Sequence, residues 1–345
     1  MNKIFRFLPL LAAALLLGSA TSSPAAKERP IRLTMTSQYM DRHAVVQKVW
    51  KPWIEEIKKR TNGRVIITYY NPNTICPEGE ILGSLQKGQI DIGQHYFARN
   101  PGTMPLCTVT GKIPMPPVDT EKSSVALWKL INDTPAMQEE LKGLHPLAFH
   151  QTANLQLSTK DTPSYDLNEL KKLRFLCSSK DSVLCAKSLG LNAIMQAQPD
   201  IYLSLSRNMA EGVFFPIPPM RSYKVNEATT ATMLVNAIST PCYMAMNQTK
   251  WESLPDDVKQ IFTETCGEVM SRAIGWALNE GEKEDMETMK KEGQTFIEVP
   301  EATRQEWKEM LRPKLREAWL EEVANTGLAN PEELYNKAES YFSGL

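Results

Sequence analysis

Short apolar runs and longer amphipathic stretches take turns along this chain. Residues 31–36, 65–70 and 90–93 are short and rich in β-branched or aromatic side chains, which predicts strands. Between them, Val45, Val46, Val49, Trp53, Ile54 and Ile57 recur at three- and four-residue steps. That spacing predicts a helix over 41–60, stopped by Asn62-Gly63. A shorter helix is predicted over 78–86, ending at Gly88. Residues 123–141 carry Val125, Trp128 and Ile131 on one helical face, and Pro135 should split them into two pieces. Residues 173–176 and 213–215 are apolar runs of the buried-strand kind. Such alternation indicates an α/β protein.

The second half turns helix-rich. Ser253 is a candidate N-cap, Pro255 suits a first turn, and Asp256 and Asp257 complement the helix dipole. Helical spacing then runs through Val258, Ile261, Phe262, Val269, Met270 and Ile274 toward Lys291. One helix of roughly forty residues is predicted, against about 8–20 for an ordinary globular helix. The heptad pattern fades past Ala277, so a strut crossing two domains is expected rather than a coiled coil. Amphipathic helices over 306–324 and 331–342 close the chain.

Residues 1–26 differ from the rest. Lys3 and Arg6 precede an apolar run of about 12 residues and then small residues, the layout of a secretory signal peptide. A membrane anchor needs about 20 apolar residues. No Cys follows the run, which argues against a lipid anchor. An exported, periplasmic protein without stable membrane insertion is therefore expected.

With 345 residues the chain has room for about two domains. Its 39 Lys and Arg nearly balance 40 Asp and Glu, and removal of 1–26 leaves a charge near −3. A nucleic-acid binder would carry a basic excess, so that class is set aside. The six cysteines have long, irregular spacings and no CxxC, which disfavours zinc. They read either as buried thiols or as disulfides, with Cys177–Cys185 the first choice for a local bridge.

No motif for nucleophilic, zinc or nucleotide chemistry is present, and no cofactor is expected. An exported hydrolase pairing Cys177 with His150 is the enzymatic alternative, and a sensor on the same scaffold is another. What stands out is polar and aromatic residues at strand ends: Gln38 and Tyr39 after Ser37; Gln94, His95 and Tyr96; His150 and Gln151; Ser178; Phe215. In open α/β sheets ligands bind outside the carboxyl ends of the strands.

The ordered motifs resemble the extracytoplasmic solute-binding proteins of tripartite ATP-independent periplasmic (TRAP) transporters, the DctP type. Trp53-Ile-Glu-Glu-Ile-Lys-Lys-Arg-Thr-Asn-Gly-Arg-Val-Ile-Ile is similar to the family's first helix, turn and second strand. Leu85-Gln-Lys-Gly-Gln-Ile-Asp-Ile-Gly93 resembles its G-x-I-D-I-G strand. Asp166-Leu-Asn-Glu-Leu-Lys-Lys-Leu-Arg-Phe-Leu176 resembles D-L-K-G-L-K-I-R, and Trp251-Glu-Ser-Leu-Pro255 resembles the W-x-x-L-P start of the long helix. Ser188-Leu-Gly190, Asp200-Ile-Tyr202 and Glu211-Gly212 fall in the family's order.

The resemblance implies a periplasmic binding protein-like α/β fold: two lobes joined by hinge strands and crossed by a long helix. Lobe I is expected over 27–150 plus about 240–282, and lobe II over 151–239 plus about 283–345. A small organic solute would be trapped between them and delivered to the membrane subunits of a TRAP permease. The resemblance also exposes departures. Leu176 stands where the family usually has an Arg that clamps a carboxylate, and Leu155 where a second Arg is common. Arg174 lies two residues early, on the same strand face. Phe215 replaces a usual Asn, and Gln198 a usual aromatic. Without a bidentate Arg a buried carboxylate loses its usual partner. The expected solute is held instead by aromatic contacts and by Gln, His and Tyr hydrogen bonds. It is neutral, aromatic, or a carboxylate met by Arg99, Arg221 or His95. A cation boxed by Tyr39, Tyr96 and Phe215 is a further option.

Overall fold

The computed structural model describes residues 29–100, 102–343 and 345. The expected export segment 1–26 lies outside the described residues.

Among the described residues, eleven strands form two sheets. They are β1 (Ile31–Ser37), β2 (Val65–Tyr70), β3 (Ile92–Tyr96), β4 (Leu144–Gln151), β5 (Leu155–Thr159), β6 (Arg174–Cys177), β7 (Asn192–Met195), β8 (Gly212–Pro216), β9 (Ala231–Leu234), β10 (Pro241–Asn247) and β11 (Thr295–Glu298). The first sheet has the order β2-β1-β3-β10-β4 and the second β11-β9-β5-β8-β6-β7. In the first, β1 lies parallel between β2 and β3, while β10 runs antiparallel to β3 and β4. Apolar residues on both faces bury these strands under helices, as parallel sheets require.

Three connections carry the chain between the sheets: β4 to β5, β9 to β10, and β10 to β11 by way of the long helix, of which the first two are short. The two short ones run side by side. Leu155 N–H donates to Ile238 O at 2.8 Å, Ala237 N–H to Leu155 O at 3.0 Å, and Thr152 N–H to Thr240 O at 3.0 Å. This short two-stranded neck makes the two sheets separate lobes.

The predicted forty-residue helix is two helices, Asp256–Thr265 and Glu268–Lys291. Cys266 is extended and Gly267 has a φ of +70°, a conformation that favours glycine. The freed Gly267 N–H donates to Leu147 O of β4 at 2.7 Å. The Trp128 ring lies 3.1 Å from where a Cβ at Gly267 would stand, so space as well as φ selects glycine there. The second helix is still a strut. Met270, Ile274 and Leu278 bury into the first lobe's core, and Met289 into the core around Leu176 and Phe215.

A second helix also crosses. In Glu301–Val323, Trp307, Leu311 and Leu315 pack in the second lobe, whereas Trp319 and Val323 pack in the first. Pro331–Phe342 then buries Leu334, Tyr335 and Ala338 in the same core as Leu127 and Leu130 of the helix Thr120–Asn132. The chain end thus returns to the first lobe, unlike the expectation that 283–345 belongs wholly to the second. Amphipathic patterning marks a helix's buried face but not the core that receives it.

The six cysteines are free thiols, so the expected Cys177–Cys185 bridge is absent. Both sit in the second lobe's core, where burial pushes the Cys177 thiol up to about 12.

Candidate functional site

The strand ends carry the polar residues, but the strands run further than the sequence implied. Gln94, His95 and Tyr96 lie on β3 rather than after it, and His150 and Gln151 on β4. Ladder hydrogen bonds therefore fix their backbones, and alternation sends Gln94 and Tyr96 to one face and His95 to the other.

At the end of β1, Ser37 Oγ accepts from Tyr39 N–H at 2.9 Å and lies 2.7 Å from the Tyr69 hydroxyl. This pins the turn and buries the Tyr39 side chain. The ring stacks on His43 with centroids 3.9 Å apart, and lies 5.8 Å from Trp50 and 6.2 Å from His150. Burial raises the Tyr39 phenol well above its ordinary value and pushes His43 down to about 4. Gln38 Nε2 reaches Cys242 Sγ at 4.0 Å. Cys242 pairs in register with both Tyr96 and His150, so β1, β3, β10 and β4 meet at one place.

On β3, Gln94 Nε2 is 3.0 Å from His150 Nε2. His95 Nδ1 accepts from Tyr96 N–H at 2.7 Å, and its Nε2 lies 3.3 Å from Glu78 Oε1 without hydrogen-bond alignment. Arg99 stands 3.9 Å from the same carboxylate oxygen. His95, and then Arg99, hold the Glu78 carboxyl below its usual range against the opposing effect of burial. Burial raises the Tyr96 phenol, with Cys242 and Glu78 adding to it.

Seven buried side-chain polar atoms lack a hydrogen bond among the described residues: Gln38 Oε1, Tyr39 OH, Gln94 Oε1, His95 Nε2, Trp50 Nε1, Tyr243 OH and Arg304 Nε. Four of them belong to the residues singled out from the sequence. Buried polar groups normally find partners, so this concentration marks the strand ends of the first lobe as the candidate site.

Other expected residues are placed differently. Gln151 is fully engaged: Nε2 donates to Thr110 Oγ1 at 2.7 Å and Oε1 accepts from Ser239 Oγ at 3.0 Å. It braces the neck. Leu155, Leu176 and Phe215 are all buried in the second lobe's cores. Leu176 packs with Ile201, Leu205, Val213 and Phe215. Ser178, just past β6, and Gln198, opening a 3-10 turn, are half-buried. His150 and Cys177 do not form a nucleophilic pair: His150 faces Gln94, and Cys177 lies in the core with Phe175, Cys185 and Phe214. Among the described residues no His, Cys, Asp or Glu group is fit to hold a metal.

The alternative cations are occupied. Arg174 binds Glu211 through Nε at 3.2 Å and through NH2 at 2.5 Å, at the end of β6 opposite the site. Arg221 holds Glu292 at 2.7 Å and lies 3.6 Å from Asp285.

Four neighbours were missed by sequence reasoning: His43, Glu78, Cys242 and Tyr223. Glu78 and Arg42 of the first lobe both act electrostatically on Tyr223 of the second. A lone acid in a predicted helix start carries no signal of this, whereas the stacking of Tyr39 and His43 at a four-residue spacing was open to inference.

The family model for bacterial extracellular solute-binding proteins, family 7 (DctP), matches residues 36–322. The C4-dicarboxylate-binding periplasmic protein DctP of Rhodobacter capsulatus is 26% identical over 321 residues, covering 89% of this chain and 92% of that protein. A TRAP periplasmic solute-binding protein of Desulfovibrio salexigens, solved in an open form, superposes with a TM-score of 0.81 at 25% identity, covering 90% of this chain and 95% of that one. A TRAP solute-binding protein of Rhodoferax ferrireducens, solved with copurified benzoate, shares the fold with a TM-score of 0.79 at 21% identity, covering 90% and 97%. Two lobes on a narrow neck, a set of unpartnered polar groups at the strand ends and a family match over most of the chain agree: this protein belongs to the DctP family of extracellular solute-binding proteins, the binding components of TRAP transporters, and is not an enzyme.

Proposed function

We propose that the two lobes close on a small organic solute at the ends of β1 and β3 and that the loaded protein hands it to the membrane subunits of a TRAP permease. Export through residues 1–26 would place this exchange in the periplasm. Among the described residues no helix is long and apolar enough to cross a membrane. The carrying observation is the set of buried atoms without an aligned hydrogen bond on Gln38, Tyr39 and Gln94, beside His95, whose Nε2 faces Glu78 at 3.3 Å. Tyr39 and Tyr96 supply aromatic surface beside them. Ser178, Gln198 and Tyr223 approach from the second lobe, with Leu155, Leu176 and Phe215 as the apolar support behind. His150 and Gln151 position the site rather than touch the solute.

The ligand is not a C4-dicarboxylate of the kind named for the Rhodobacter relative. Leu155 and Leu176 offer no clamp, and Arg99 and Arg221 already face carboxylates. An aromatic or hydroxylated solute fits better.

The test is a thermal-shift screen across acids, amines, alcohols and aromatics, followed by small-angle scattering with each hit. Binding raises stability by mass action. A fall in the radius of gyration is expected on binding. Hits that leave the radius unchanged would overturn capture between lobes. Shifts confined to succinate-like diacids would overturn the ligand assignment.

A further inference from the structure

The proton positions around His150 can be followed from one end. The Gln151 backbone carbonyl can only accept a hydrogen bond, and His150 Nδ1 lies 3.1 Å from it. Nδ1 therefore carries the proton. Burial pushes His150 down to about 4, so the ring is neutral at physiological pH and Nε2 holds a bare lone pair. Gln94 Nε2, 3.0 Å away, must donate to it. This fixes the Gln94 amide: its nitrogen faces His150, and its oxygen is the atom left without a partner. The orientation follows from the network and not from assigning one amide in isolation.

We infer that the inner end of the cleft receives a hydrogen-bond donor of the solute, an O–H or N–H group, at Gln94 Oε1, and that a carboxylate is not accommodated there. The inference rests on the solute-capture reading above and adds the class of solute to it. Gln94 is fully buried, so a carboxylate brought to Oε1 would set two acceptors against each other with no water to separate them. The surroundings agree. Gln38 Oε1 is a second unpartnered acceptor, and Glu78 adds a carboxylate on the His95 side. The Tyr39 hydroxyl can serve either role. Trp50 Nε1 is an unpartnered donor in the same core cluster as Tyr39, whose ring lies 5.8 Å from that of Trp50, so the donor stands behind the Tyr39 ring. Arg42 is exposed and acts on Tyr223, so it stands at the outer side of the site. The polarity of the pocket is thus set from behind by a backbone carbonyl two side chains away. It is opposite to that of a site built around an Arg fork.

Two measurements on the full mature chain test this. In the unliganded protein, nitrogen-15 NMR of the His150 ring should report a neutral Nδ1–H tautomer, unchanged from pH 6 to pH 8. An Nε2–H tautomer or a protonated ring overturns the inference. Thermal shifts are then compared for benzyl alcohol and benzylamine against benzoate and succinate. Saturation with either donor should raise Tm by about 3 °C or more, and the two acids should not. Gln94→Met should weaken the donors about 10-fold or more. Shifts with the acids alone, together with lobe closure, overturn this inference and leave solute capture standing. No shift with any of the four removes this donor class from the cleft. Closure without any effect of Gln94→Met overturns the role given to Oε1.

Discussion

The ends of β1 and β3 in the first lobe and the ends of β6 and β8 in the second occupy corresponding places in their sheets, yet their chemistry is opposed. In the first lobe the strands end in the half-buried Gln38 and the buried Tyr39, Gln94 and His95, each with a side-chain atom lacking an aligned hydrogen bond. In the second they end around Leu176 and Phe215, buried and closely packed with Ile201, Val213 and Ile217. A polar group buried without a partner costs stability, and a packed apolar side chain contributes it. The strand ends of the second lobe are therefore closed by packing, whereas those of the first leave polar atoms without an aligned hydrogen bond. On the proposed reading, recognition would be concentrated in the first lobe and the second would close over it.

Substitutions can break this contrast, and the largest effect belongs to the apolar side. Leu176→Ala should destabilise the protein by about 2–5 kcal/mol through a cavity, measured by urea unfolding. A change below about 1 kcal/mol would mean that Leu176 faces an open cleft rather than a core. Restoring the family's Arg there should be at least as damaging, because the charge would enter a core without a partner.

The strut between the lobes comes next. Burial, with Asp285 adding to it, raises Glu282 to about 7, and burial raises Asp285 to about 6. For a carboxyl raised in the folded state, the stabilising contribution is full below the unfolded value and is lost as pH rises through the folded value. His43 and His150, each held near 4, have the opposite sign: their contribution is full above about 6.5 and is lost as pH falls toward 4. The two effects oppose each other between about pH 4 and 7. Glu282→Gln removes one side, so stability at pH 8 should rise by about 1–2 kcal/mol. Chemical denaturation at pH 5 and pH 8 checks this, and an equal gain at both would refute the assignment.

Tyr39→Phe should change stability by less than about 1 kcal/mol, because the hydroxyl makes no aligned hydrogen bond and only the Gln38 side chain stands beside it. Solute affinity should nevertheless fall, as calorimetry with any thermal-shift hit would show. A large loss of stability with unchanged affinity would reverse the roles given to the two lobes. The smallest effect is expected at Arg174. Arg174→Ala should leave solute affinity unchanged, since its guanidinium is held by Glu211 and Asn208 at the far end of β6.

Much of the fold was legible in short stretches. The strand over 65–70 and the helix over 331–342 end where patterning placed them, because β-branched alternation and a Pro start are local signals. Gln38, Tyr39, Gln94 and His95 were picked out by the rule that ligands sit beyond strand ends, and each has a buried side-chain atom without an aligned hydrogen bond. Gln151 has the same sequence credentials but is tied to Thr110 and Ser239, which come from distant parts of the chain. The break at Gly267 was hidden because the flanking residues keep helical periodicity across it. Glu78 and Tyr223 were missed because only their neighbours in space give them a role.

By itself, the sequence determined the alternation of elements, the family and the apolar character of positions 155 and 176, all of which depend on residue identity and local spacing. Only the tertiary structure decided which polar atoms remain unpartnered. Hydrogen bonding is a property of pairs, and the pairs that saturate Gln151, orient Gln94 and hold Arg221 join residues dozens of positions apart.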